Sequence, residues 1–103
     1  ADALDALRAN GVHADSVILI GGAARSPAVR ALAPAVFGMT VDVPEPGEYV
    51  ARGAARQAAW VLSGDDEPPR WGRRVVASVP AEHPEWADQV RATYAAARER
   101  MYG

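Results

Sequence analysis

The strongest constraint on the fold of this 103-residue chain is an apolar run at residues 17–20 (VILI), which ends at the adjacent glycines Gly21 and Gly22. Ser26 and Pro27 follow shortly after and are typical of a helix N-cap and first helical position. A buried strand, a tight turn and a helix N-terminus in succession often bind phosphate or ribose, because free backbone N–H groups and the positive end of the helix dipole converge there. The pattern therefore indicates an α/β fold with a nucleotide site.

The segment after the glycines predicts a helix and then a second strand. Apolar side chains recur at helical spacing over residues 28–37 and stop at Gly38, although Pro34 should kink this helix or fray its last turn. Residues 40–44 (TVDVP) are typical of a short strand that its proline ends. With residues 15–20 as the first strand, the spacing predicts a βαβ unit with two parallel strands and a right-handed crossover.

The rest of the chain divides by composition. Residues 1–64 predict a β-α-β-α unit preceded, within the same range, by a short alanine-rich helix. Residues 65–83, which begin DDEPP after Gly64, predict a connecting loop. Residues 84–103 predict a final helix, in which Trp86 and Tyr94 are expected to be packing residues.

The predicted helix at residues 48–62 is built from small side chains and has a glycine, Gly53, in its middle. Alanine is common in helices for its propensity alone, but an interior glycine costs about 1 kcal/mol. We therefore expect a sheet or a ligand to approach this helix closely at Gly53.

Charge and composition exclude several classes of function. The net charge of −2 gives no reason to expect nucleic acid or an anionic membrane as a partner, and no apolar run is long enough to cross a bilayer. All eleven basic residues are arginine, and the one cluster, Arg70, Arg73 and Arg74, is typical of a solvated loop. His13 and His83 stand alone, so no metal site is predicted. The absence of cysteine allows a cytoplasmic location.

Two parallel strands are too few for an independent sheet. Such a pair has two unpaired edges and cannot cover both faces with three or four helices. We therefore expect the chain to be the tail of a larger α/β domain, or to be completed by assembly. The unpaired edges would also allow a homodimer.

Three motifs in order give the chain a family resemblance. They are IGGAARSP after the first strand, VPEPGEYVARGAARQAA across the second strand and next helix, and the final aromatic helix. Together they resemble the C-terminal part of the FGGY carbohydrate kinase family, most closely its xylulokinase branch. The resemblance implies an α/β fold that is the C-terminal part of an actin-like, ribonuclease H-like ATPase domain.

The same resemblance implies a role for the glycine turn. In the family this turn lies against the α-phosphate, ribose and adenine of ATP, which corresponds to Gly21, Gly22 and Ala23, and Ser26 borders the adenine pocket. Many sugar kinases have a third glycine where this chain has Ala23. The helix that contains Gly53 would pack behind the nucleotide.

The reaction implied by the resemblance is transfer of the γ-phosphoryl group of ATP to a ketose such as D-xylulose, assisted by Mg²⁺. The catalytic base and the sugar contacts of the family belong to a preceding portion of the protein. No catalytic residue and no metal ligand is therefore predicted here, and the 103 residues alone are expected to be inactive.

Two other hypotheses stay open. Asp42 follows the glycine turn by about 20 residues, where an NAD(P)-binding Rossmann half-domain of a dehydrogenase has its ribose-binding acid. However, Ala23 puts a methyl group where that motif needs a glycine. The other hypothesis is a non-catalytic assembly module in which the turn is purely structural.

Overall fold

Three strands form one mixed sheet in the computed structural model, which describes residues 1–103. The central strand pairs in parallel with the first strand and antiparallel with the third. The elements are α1 (Asp2–Ala9), β1 (Ser16–Ile18), a 3₁₀ helix (Gly22–Arg25), α2 (Pro27–Phe37), β2 (Thr40–Pro44), α3 (Tyr49–Ser63), β3 (Val75–Val79) and α4 (Glu85–Tyr102).

The parallel pairing of the βαβ unit is confirmed. Ser16 lies opposite Thr40 and Val17 opposite Val41, and α2 connects the two strands. β1 is shorter than the predicted strand, since it ends at Ile18, but the N–H of Leu19 still donates to the Asp42 carbonyl at 2.9 Å. The sheet therefore leads directly into the glycine turn.

The prediction of only two strands is wrong. Residues 75–79 (VVASV), inside the predicted connecting loop at residues 65–83, form β3 and pair with β2 from Val41 to Pro44. Valine-rich segments are typical of strands. This one was assigned to the loop because it follows a long stretch rich in turn-forming residues. β3 gives β2 a hydrogen-bonded neighbour on each side, so β2 becomes the buried centre of the sheet.

Pro34 does not end α2, which continues through it to Phe37. Gly38 then caps the helix in the left-handed conformation, with φ of 62°. Pro34 is one of the most completely buried side chains, so its ring packs in the core. This burial offsets the backbone hydrogen bond that a mid-helix proline removes.

The core of the chain is small. Val41 and Val43 on β2 pack with Ala24 and Ala33, and only nine residues in total are buried. The accessible surface is 7576 Å², whereas a compact monomer of this mass exposes about 5,600 Å². The radius of gyration, 16.9 Å, likewise exceeds the value of about 13 Å typical of compact domains of this length. The chain therefore exposes surface that a compact domain would bury.

The helix α3 contributes most clearly to this exposed surface. It has no buried residue, and Val50 and Leu62 are 84% and 90% exposed. No helix of the chain combines the length and the apolar character needed to cross a membrane.

The prediction that Trp86 and Tyr94 are packing residues is wrong for this chain, because they are 40% and 60% exposed. Ala87 is the only buried residue of α4. The Arg91 guanidinium attaches the helix to its neighbours: Nη1 donates to the Val36 carbonyl at 2.9 Å, and Nη2 pairs with Asp5 at 2.8 Å. Helical spacing identifies an apolar face, but it does not say whether the same chain covers that face.

Candidate functional site

The turn after β1 has a backbone conformation that only glycine adopts readily. Gly21 has φ of 89° and ψ of −174°, a region that is essentially restricted to glycine. A Cβ placed on Gly21 or Gly22 would meet no atom within 4 Å, so the space in front of both residues is open. The turn thus presents bare backbone to whatever lies in front of it.

The backbone donors of this turn are free. No hydrogen bond of the turns, loops and caps uses the N–H groups of Gly21, Gly22 or Ala23. The carbonyl of Gly21, in contrast, accepts from the N–H of Ala24 at 3.1 Å. Successive unpaired N–H groups in a turn form a concavity that favours anions.

A 3₁₀ helix, which the sequence analysis does not predict, lies between the glycine turn and α2. Gly22–Arg25 forms this extra segment, and the buried Ala24 anchors it to the core. Ser26 is the N-cap of α2, as predicted, and its Oγ accepts from the N–H of Val29 at 3.4 Å. The first turn of α2 therefore begins after the glycine turn. One of its backbone N–H groups, that of Val29, is already bound by the Ser26 side chain.

The glycine turn lies on one side of a cleft of about 270 Å³, and the connection from β2 to α3 lies on the other. Ligand sites typically have volumes of about 300–1,000 Å³, so this cleft can hold only part of a nucleotide. The residues that line it are Leu19, Ile20, Gly21, Gly22, Ala24, Arg25, Arg30, Val43, Pro44, Glu45, Pro46, Gly47, Glu48 and Tyr49.

Two of the predicted site residues, Gly21 and Gly22, line this cleft. Ala23 and Ser26 are not among its lining residues, although Ala23 still offers its N–H. The sequence analysis missed Arg25 and Arg30. Arg25 could have been found, because it stands inside the IGGAARSP motif, whereas nothing distinguishes Arg30 from any arginine on a helix surface.

Both signs of charge are present at this cleft. Arg25 and Arg30 line it near the glycines, and Glu45 and Glu48 line it near α3. Arg30 is held in place, because its Nε donates to the Ala24 carbonyl at 2.5 Å. The side with the free N–H groups is therefore the positive side of the cleft.

Asp42 does not reach this cleft. Its carboxylate accepts a hydrogen bond from the Ser78 hydroxyl at 2.6 Å, across the β2–β3 pair. A dinucleotide site would need this carboxylate for the ribose, so its engagement within the sheet disfavours the Rossmann hypothesis.

No group of three or more His, Asp or Glu side chains that could hold a metal ion occurs.

Comparisons with known proteins agree with one another. Residues 1–62 match the sequence model described as the FGGY family of carbohydrate kinases, C-terminal domain. Over 50 residues, 48% of this chain, it is 46% identical to a xylulose kinase of Streptomyces coelicolor and to one of Streptomyces rubiginosus. The crystal structure of xylulose kinase from Bifidobacterium adolescentis matches 90% of the chain with a TM-score of 0.74 and 45% identity.

The matched relatives are much longer proteins. The alignment spans 10% of each Streptomyces enzyme, and the structural match spans 18% of the Bifidobacterium chain. The α/β fold of this chain is thus similar to one segment of a xylulose kinase.

Proposed function

The chain belongs to the FGGY family of carbohydrate kinases, and on that premise we propose that it forms one wall of the ATP site of a sugar kinase. The observation that carries the proposal is the row of free N–H groups at Gly21, Gly22 and Ala23, beside an open cleft that is positive on the same side. Such a row suits a phosphate group, and the bare glycine surface lets a ribose or base approach closely.

Each part of the turn has a separate task in this proposal. The N–H groups of Gly21 and Gly22 bind the α-phosphate, and the Arg25 and Arg30 guanidiniums balance its charge. Ala23 contributes its N–H, and Ser26 fixes the direction of α2 at the border of the adenine pocket. The apolar side chains of the cleft then contact the ribose and adenine.

The proposed reaction transfers the γ-phosphoryl group of ATP to a ketose such as D-xylulose. Catalysis of phosphoryl transfer depends mainly on positioning and charge neutralisation. This chain contributes to positioning, because it holds the adenosine end of ATP and thereby fixes where the γ-phosphoryl group lies. The catalytic base, the sugar contacts and the ligands of Mg²⁺ are assigned to residues outside this chain.

The same proposal includes a location and an assembly. ATP-dependent sugar phosphorylation and a chain without cysteine both suit the cytoplasm. β1 and β3 are the outer strands of the sheet, and either could pair with a second copy to form a homodimer.

An NMR titration tests the nucleotide proposal. In the ¹⁵N-labelled chain, ATP is expected to shift the amide signals of residues 21–26, and NAD is expected to leave them unchanged. The amide of Gly64, another glycine with positive φ but far along the chain at the end of α3, is the internal control and should not move. An equal response of these amides to NAD would refute the proposal, and so would the absence of any response to ATP in a longer protein that supplies the other walls of the site.

A further inference from the structure

Four arginines converge on a second cleft, of about 440 Å³, between α3 and the segment that leads from α3 towards β3. Arg52 and Arg56 come from α3, whereas Arg70 and Arg73 come from the following segment. In the sequence, Arg70 and Arg73 are typical of a solvated loop, and nothing there indicates that two arginines of α3 lie beside them. The fold therefore brings together four arginines that come from two separate segments of the chain.

Two of these guanidiniums are held in place by backbone carbonyls. Arg52 donates through Nη2 to the Gly72 carbonyl at 2.5 Å, and Arg56 donates through Nε to the Pro69 carbonyl at 2.6 Å. Each bond uses one donor of a guanidinium, which has several further N–H groups. The remaining donors of both residues are thus positioned for a ligand without the full entropic cost of ordering a free arginine.

The positive charge of this cleft has little compensation. The chain has thirteen carboxylate side chains, yet none lines the cleft. The one ion pair at its edge joins Arg70 and Glu67 at 3.7 Å, and both side chains are almost fully exposed, so the pair contributes little. In contrast, the arginines between α1 and α4 are paired directly with Asp2 and Asp5. An anion bound there would relieve the mutual repulsion of the four guanidiniums.

The remaining walls of the cleft are also suited to a ligand. Gly53 lies on its surface, and a Cβ placed there would meet no atom within 4 Å, so the missing side chain leaves open space. Close packing by the rest of this chain therefore does not explain this interior glycine. Tyr49 and Trp71 supply aromatic faces, and the Tyr49 hydroxyl is fixed by a 2.5 Å hydrogen bond to the Glu45 carbonyl.

We propose that this arginine cleft binds a small molecule that carries at least two linked phosphate groups. Guanidiniums match phosphate oxygens in geometry, and four of them exceed the charge that a single phosphate can balance. The volume suits a small ligand. The arginine cleft shares only Tyr49 with the cleft at the glycine turn, so the inference does not depend on the proposed ATP site.

Pyrophosphate is the probe for this site, and the readouts are calorimetric affinity and the NMR signals of the arginine Nε–H groups. Pyrophosphate is expected to shift the Arg52 and Arg56 signals and to bind about tenfold more tightly than inorganic phosphate. Arg56→Gln should weaken binding about tenfold. Joint replacement of Arg70→Gln and Arg73→Gln, in a segment without helix or strand, should weaken it similarly and leave the circular dichroism unchanged.

Arg100→Gln, on α4 and outside the cleft, is the matched control and should change the affinity by less than about twofold. The proposal is overturned if Arg52 and Arg56 signals stay fixed at millimolar pyrophosphate, or if Arg100→Gln weakens binding as much as the cleft variants. Equal affinity for inorganic phosphate would exclude linked phosphates as the feature recognised. Tighter binding of a single-stranded oligonucleotide would identify a nucleic acid instead and overturn the assignment to a small molecule.

Discussion

Val41→Asp is expected to unfold the chain, whereas Val50→Asp is expected to leave it folded. Val41 is 0% exposed at the centre of the sheet, in a core whose other members are Val43 and two alanines. A buried, unpaired carboxylate costs several kcal/mol, which is comparable to the whole free energy of unfolding of a small domain. Val50 lies on α3 in solvent, so the same substitution there buries no charge.

Far-UV circular dichroism during heating measures this difference. The wild type and Val50→Asp should unfold in closely similar cooperative transitions, and Val41→Asp should show no transition at all. If Val41→Asp melted at the wild-type temperature, the described sheet, with β2 at its centre, would be wrong.

Gly21→Val is expected to weaken the binding of ATP to the glycine turn at least about tenfold. Valine cannot adopt the Gly21 conformation without strain of about 1–3 kcal/mol, and relief of that strain would rotate the N–H groups of the turn away from the cleft. Gly22→Ala is the matched control, because Gly22 has no positive φ and a Cβ there meets nothing within 4 Å.

The affinity of each variant for ATP can be measured by calorimetry. Gly21→Val should lose at least about tenfold in affinity, and Gly22→Ala should lose much less. If a folded Gly21→Val variant kept the ATP affinity of the wild type, the glycine turn would not be part of the nucleotide site.

The sequence predicts the βαβ unit well, for local reasons. The apolar run before Gly21, the Ser26-Pro27 start of α2 and the proline at the end of β2 are all signals within a few residues of the structure they specify. β3 escaped prediction because its strand character depends on pairing with β2, more than thirty residues earlier in the chain. Burial of Pro34 is likewise a tertiary effect, and α2 continues through this proline to Phe37 without a frayed last turn.

The sequence predicted the part of the candidate site that depends on backbone conformation, because the residue type itself indicates that conformation. Gly21 and Gly22 were found because glycine pairs mark special conformations. The sequence did not predict Arg30 or the arginine cleft. An arginine on a helix surface becomes part of a site only when other segments of the chain pack beside it. Trp86 and Tyr94 illustrate the opposite error, since an apolar stripe in the sequence does not reveal whether its partner surface belongs to the same chain.

The exposed faces of α3 and α4 bear on the hypothesis of a non-catalytic assembly module as well as on a kinase. Both hypotheses require something to cover Val50, Leu62 and Tyr94. They differ in what happens at the glycine turn once those faces are covered, because only a kinase then uses ATP there.

A chimeric enzyme tests the central claim most directly. This chain would replace the matching segment of the Bifidobacterium adolescentis xylulose kinase, to which it is 45% identical, and ATP-dependent phosphorylation of D-xylulose would be measured. We expect the chimera to be active, its Gly21→Val version to be inactive, and the 103 residues alone to give no turnover. A folded chimera without activity, or one that keeps full activity with Gly21→Val, would contradict the role of this chain as a wall of the ATP site.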